Sequence, residues 1–438
     1  MNNYAVMGAL GLLLVLWLTG CAYNHKQFPA IVPSSTAPDD FVIQIDDHGQ
    51  FWDNSVPNRA LERISELSQT SNVIVLLFVH GWHHDAAPDN QNLRDFAASV
   101  ADTRRRLIDI SNPESAVYRQ SRKALTGSES LSVVSIYVVS IYVGWRGRSL
   151  PGFLDYATFW SRKAAAERVG EGDLREFLSR LNTLYREKRD QRAFGTTDLF
   201  MGLTSFGHSF GGQVLFRSVA YEIERELLAL HAKTDTSRKL NEITGLIGFG
   251  DLVVLINPAF EALQFERIWR LSTSLPFGRQ QNPVMLVVSS AGDVPRQVLF
   301  PIGRNLDALF LRPDFRPGQR ALWTQALGEY EPFRTHSIEI VSDSSQLTPG
   351  FDPSLYTSAP CAIENLDLTN LPSIAGVRLT PTENHRSNSP FLIAHASVSV
   401  VLDHTTVFEE TLRKFLNDYI AITQGKRMLT ARSSRECM

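Results

Sequence analysis

Residues Leu203 to Gly212 read Leu-Thr-Ser-Phe-Gly-His-Ser-Phe-Gly-Gly, placing Gly207-x-Ser209-x-Gly211 directly ahead of a long amphipathic helical pattern. A serine hydroxyl attacks a carbonyl only when it is held where a base also reaches it, and a sharp strand-to-helix turn achieves this. Such a turn crowds the main chain, and glycines two residues to either side of the serine relieve the crowding. Ser209 is therefore the candidate nucleophile for acyl chemistry. The plain alternative is a glycine-rich turn carrying an ordinary serine.

A nucleophilic serine also needs a base, an acid that orients the base, and amide donors for the oxyanion. The apolar runs of this chain end at residues that could supply them. Asn72 to Val79 stops at His80-Gly81-Trp82-His83-His84-Asp85, a turn whose Trp82 amide, with that of Phe210 after the serine, forms the candidate oxyanion hole. His80 and His84 are four apart but lie in a glycine-containing turn rather than on one helix face, and no glutamate lies between them, so no metal is expected. His83 and His84 are read as turn caps or pocket lining.

Val284 to Asp293 supplies an apolar run, a glycine and then a carboxylate. Asp293 is the candidate acid, with Glu261 as its rival beyond the Asn257-Pro258 turn. Asp251 precedes a strand and falls at the wrong end of a sheet. For the base, Leu402-Asp403-His404 closes a short apolar run before a final helical pattern, which favours His404. His395, inside an apolar stretch, reads as a core histidine, and His336 and His385 rank lower.

These residues require a scaffold. Unbroken apolar, β-branched runs at 72–79, 131–143, 199–206, 252–256 and 284–288, with a shorter one at 398–402, read as strands covered on both faces. Helical periodicity at 59–69, 90–108, 212–232 and 407–420 alternates with them, which predicts a doubly wound, mostly parallel α/β sheet. Folded structure is expected from about Phe41 to residue 425, followed by a tail at 426–438. Insertions near 150–195 and 301–390 are candidates for a lid or specificity wall, because ligands bind at the carboxyl ends of such strands.

The chain has 438 residues, 43% hydrophobic and 20% charged, which suits a globular protein with a large core. A formal charge of −3 gives no electrostatic reason to expect nucleic acid. Arg104-Arg105-Arg106 reads as a solvated helix face.

Residues Ala5 to Leu18 form an apolar run of signal-peptide length, followed by Thr19-Gly20-Cys21. Leu18-Thr19-Gly20-Cys21 resembles the bacterial lipoprotein processing box, which implies removal of residues 1–20, a lipid on Cys21 and a proline-containing tether over 21–40. One departure is that neither Lys nor Arg precedes the apolar run. Cys361 and Cys437 would then be the remaining thiols, with no spacing evidence for a bridge.

Serine, acid and histidine in that chain order, with a nucleophile elbow and an early His-Gly turn, resemble the α/β-hydrolase superfamily over most of the chain. Phe78-Val-His80-Gly81-Trp82 and Val143-Gly144-Trp145-Arg146-Gly147 add a similarity to α/β hydrolases of the bacterial envelope. The resemblance implies a Ser209, Asp293 and His404 triad cleaving small-molecule or lipid esters without a cofactor, at a membrane reached through the lipid anchor. An acyltransferase with the same residues, and a non-catalytic envelope scaffold, are the competing readings. Trp145 and Arg146 either line the site or serve as core packing and a surface ion pair.

Overall fold

The computed structural model describes residues 28, 38–111, 136–149, 155, 158–236, 245–278, 281–311, 314–341, 367–371 and 373–433. The proposed signal segment, Cys21, most of the tether, Cys361 and Cys437 lie outside the described residues.

Among the described residues, nine strands form one sheet: β1 (Asp40–Gln44), β2 (Asn72–Val79), β3 (Ile136–Gly144), β4 (Met201–His208), β5 (Leu252–Ile256), β6 (Met285–Ser290), β7 (His336–Ile340), β8 (Val377–Pro381) and β9 (Phe391–Ala396). Their spatial order is β1-β3-β2-β4-β5-β6-β9-β7-β8. Each pairing is parallel except the antiparallel β7 and β8. This is the mixed α/β architecture expected from the sequence, consistent with an α/β-hydrolase fold.

Helices cover both faces, and β2 shows why its sequence is apolar throughout. Val73, Val75, Leu77 and Val79 belong to one buried cluster; Ile74, Leu76 and Phe78 point the other way into a second. The first face carries α1 (Ser55–Thr70), α3 (Phe159–Glu171), α4 (Asp173–Ala193), α5 (Phe210–Thr236) and α6 (Leu263–Thr273) over one continuous cluster. The second carries α2 (Gln91–Ser111) and α9 (Glu410–Ser433). Helix α2 buries Leu93, Phe96 and Val100, and α9 buries Leu412, Phe415, Leu416 and Tyr419, each a stripe at helical spacing.

Several expectations need correction. The last core strand is Phe391–Ala396 rather than 398–402. Residues Val398 to Leu402 form turns in which the amides of Val400 and Val401 both donate to Ser397 O, with Val400 and Val401 buried and Val398 and Leu402 exposed. A short β-branched run can thus fill a core from a turn as readily as from a ladder.

Described residues of both insertions join the scaffold. In the first, α4 buries Leu174, Phe177, Leu178, Leu181 and Tyr185 in the main cluster and is part of the scaffold. In the second, β7 and β8 widen the sheet, while α7 (Phe300–Leu311) and α8 (Gln319–Thr324) precede them. Arg104 is not merely solvated: its guanidinium binds Asp40 of β1 and the carbonyl of Val138 in β3, tying α2 to the sheet edge.

Candidate active site

The turn from β4 into α5 holds Ser209 at φ +56°, a left-handed conformation that costs a non-glycine residue strain. The surrounding bonds enforce it. The Ser209 amide donates to Ile256 O at 3.0 Å, and Ser209 O accepts from the amides of Gly212 and Ala259. A Cβ on Gly211 would lie 2.2 Å from Val79 O, so glycine is required where α5 passes the end of β2.

Three residues expected from the sequence come together here. Ser209 Oγ lies 2.7 Å from His404 Nε2, and His404 Nδ1 lies 2.6 Å from Asp293 Oδ2. Ser209 and Asp293 are buried at 2% and 0% exposure, whereas His404 keeps contact with solvent. Burial pushes the Asp293 carboxyl up, but the His404 hydrogen bond and the charges of His404 and Arg296 outweigh it and hold the carboxyl at about 2. An ionised Asp293 keeps the proton on Nδ1, leaving the Nε2 lone pair for the serine hydroxyl.

Arg296 was not anticipated. Its amide donates to Asp293 Oδ1, its Nε donates to the same Oδ2 that His404 uses, and its Nη2 donates to Ser290 O. Its guanidinium, 0% exposed, also pairs with Glu329 at 2.8 Å. Arg296 lies three residues past the acid, on a π-helical turn at Pro295–Leu299. A lone arginine in a mixed sequence carries no signal of burial.

The loop bearing the base is fastened by three further residues. His208 Nε2–H donates to His404 O at 2.7 Å, and Asn257 Nδ2 donates to Asp403 O at 3.0 Å and His404 O at 3.3 Å. The Ser290 hydroxyl donates to Val401 O. The Asn257 side-chain oxygen accepts from the Ser290 amide, joining the ends of β5 and β6. His208 adjoins the nucleophile and Asn257 sits in the turn already noted, so position in the motif was the available signal for both.

The His80-Gly81-Trp82 turn abuts the nucleophile, since a Cβ on Gly81 would lie 2.8 Å from Ser209 Cβ. Trp82 and Phe210 pack ring to ring at 6.2 Å, and Phe159 of α3 packs on both. Phe210 begins α5, where the first-turn amides have no intrahelical acceptor.

The three histidines of this turn diverge. His80 is fully buried, donates from Nδ1 to Gly81 O, and accepts the Trp145 amide at Nε2. Burial lowers its pKa to about 3. Trp145 stacks on it and donates Nε1–H to His80 O, so the indole is core packing. His83, at φ +68°, binds Asp155 at 2.7 Å. Arg146 pairs with Asp47.

A cavity of about 460 Å³ opens here, lined by Trp82, His83, His84, His208, His404 and Phe408 among others. Glu261, the rival acid, is committed elsewhere: its carboxylate pairs with Lys163 at 3.0 Å and Arg304 at 2.9 Å. His395 sits in β9 beside Glu329, and His336 in β7 donates from Nε2 to Thr369 O while its Nδ1 bonds the Thr335 hydroxyl, both away from Ser209.

No family model matches the chain, and no curated protein matches it. Among solved structures, the phospholipase PlaB from Legionella pneumophila, in complex with thio-NAD, is similar at 12% identity with a TM-score of 0.23. The match covers 83% of this chain and 64% of that one, so this chain spans less than two thirds of the phospholipase. The chain is thus an α/β protein whose chemistry rests on its own site.

Proposed function

We propose that this chain is a serine hydrolase that cleaves carboxylic esters through Ser209, His404 and Asp293, held at the bacterial envelope by a lipid on Cys21. The observation that carries this reading is the unbroken hydrogen-bonded chain from Ser209 Oγ through His404 to Asp293. Its place beyond the carboxyl ends of parallel strands supports it, because ligands of such sheets bind there.

The chemistry follows from the groups present. His404 Nε2 removes the Ser209 proton as Oγ bonds to the ester carbonyl carbon, and Asp293 stabilises the imidazolium through Nδ1–H. The amides of Trp82 and Phe210 donate to the oxyanion. Collapse breaks the bond to the leaving alkoxide, which takes the proton from His404. Water, deprotonated by the same nitrogen, then attacks the acyl-enzyme, releases the acid and restores Ser209.

Treating the folded full chain with a fluorophosphonate probe and mapping the adduct tests this reading. Labelling at Ser209, lost in Ser209→Ala, is expected; a folded chain with Ser209 unlabelled overturns it. Anchoring is tested separately, by palmitate incorporation that Cys21→Ser abolishes.

A further inference from the structure

Beneath α1, α3, α4, α5 and α6 the apolar core is one continuous cluster. On the other face it is split into one cluster under α2 and one under α9, and Phe206 and Phe408 pack against both. Between them lies a second cavity of about 200 Å³. Protein interiors are close-packed, with few voids larger than a water molecule. An apolar void of about 150 Å³ is already enough to stay dry and take up benzene. Here the space is a half-open apolar cleft between the two helices.

Its walls define what it accepts. Ile74, Leu76 and Phe78 of β2 form the floor, with Phe96 and Val100 of α2 on one side and Leu416 of α9 on the other. Arg413 of α9 lines it and binds Asp102 of α2 at 2.8 Å, so an ion pair spans the helices beside the apolar space. The wall surface is mostly apolar, although Ser99, Thr103 and Asn417 also line it, so a polar ligand would lose more hydration than these few groups return. A hydrocarbon would not.

One side chain is common to this cavity and the one at the reacting groups. Phe408, four residues past His404, lines both it and the cavity that His404 and Trp82 line. Its ring packs at 5.3 Å on Phe78 of the floor. A side chain shared by two adjoining cavities is the natural partition between a reacting head group and an apolar tail.

We infer that the space between α2 and α9 is the binding site for a fatty acyl chain, which enters past Phe408 with its carboxyl end at Ser209. The inference rests on the ester-hydrolase reading for the head group, and on the cavity alone for the chain. It makes the substrate an ester of a medium- or long-chain fatty acid.

The test uses the full chain in lipid nanodiscs and two measurements. In the first, kcat/KM for p-nitrophenyl octanoate is divided by that for the acetate. Filling the space with Leu416→Trp, or more mildly with Val100→Phe, is expected to lower this ratio about tenfold or more. An unchanged ratio in a folded variant overturns the inference. The second needs no substitution: a fatty acid bearing a diazirine near its methyl end is irradiated with the unaltered chain, and adducts are mapped. Adducts on the α2 and α9 residues that face the cavity are expected. Adducts confined to other surfaces overturn it. Cavity adducts on a chain that cleaves neither ester would sink the hydrolase reading and leave the acyl site standing. Ester cleavage with an unaltered ratio and adducts elsewhere would do the reverse.

Discussion

His208 and His404 are joined through the main chain: the buried His208 imidazole donates from Nε2 to the carbonyl oxygen of His404 at 2.7 Å. The residue just before the nucleophile therefore holds the loop that carries the base. Burial lowers the His208 pKa well below the ordinary histidine range, with His404 adding to the effect, so the ring acts as a neutral strut. Its strength lies in geometry, because misplacing a reacting group by about 1 Å costs on the order of 10² in rate.

Replacing that strut tests the idea. His208→Ala is expected to lower kcat by about 10- to 100-fold with KM little changed, and His208→Gln, which retains an N–H donor, to recover part of the loss. Steady-state kinetics on an ester, together with the fluorophosphonate labelling rate, provide the readout. An equal loss in both variants would argue against positioning through the His404 carbonyl.

Arg296 shares Asp293 Oδ2 with His404 and is itself fully buried. Arg296→Met is expected to lower kcat by about 10-fold or more, because Asp293 Oδ2 then loses the Nε–H donor that fixes it against His404. It also removes one of the two arginines on Glu329, leaving Arg334 at 3.0 Å, so a stability loss on the order of 1–3 kcal/mol should accompany it in urea unfolding.

Gly292 lies where the acid turn meets the base loop. A Cβ there would fall 2.2 Å from Leu402 O, a main-chain atom that moves only with its loop. Gly292→Ala should push the His404 loop outward, lowering kcat/KM by roughly 100-fold for a cost in stability on the order of 1 kcal/mol. Activity and thermal unfolding of the same preparation separate the two effects.

His80 couples the fold to pH. Burial lowers its pKa to about 3, since the neutral ring already donates from Nδ1 and accepts at Nε2. Burial likewise lowers His336 to about 4. The unfolded chain binds these protons near pH 6.5, so the stability they contribute is present above 6.5 and is lost as pH falls from there toward 3 or 4. Each should withdraw on the order of 2 kcal/mol between pH 7.5 and 5, measured by urea unfolding. A replacement for His80 that does not titrate would flatten this dependence; an unaltered slope would count against the assignment.

How much of this was legible depended on the kind of signal. The strands at 72–79 and 252–256 appear at the positions expected from the apolar runs, because a strand buried on both faces must be apolar at every residue. The run at 398–402 is misleading because burial, not strand geometry, demands its valines. Helix α4 looked like an insertion because its charged outer face dominates its composition, although its inner stripe is core.

By itself, the sequence determined the parallel α/β plan, the glycine-flanked serine and the chain order of serine, acid and histidine. Each is a local matter, governed by residue size, periodicity and main-chain crowding. Only the tertiary structure decided that Asp293 and not Glu261 faces His404, that Arg296 lies buried behind it, and that His208 and Asn257 grip the same loop. It also opened the apolar space between α2 and α9. These are relations between residues up to 196 positions apart, as between His208 and His404. Their distances depend on how whole elements dock, and no local pattern encodes that.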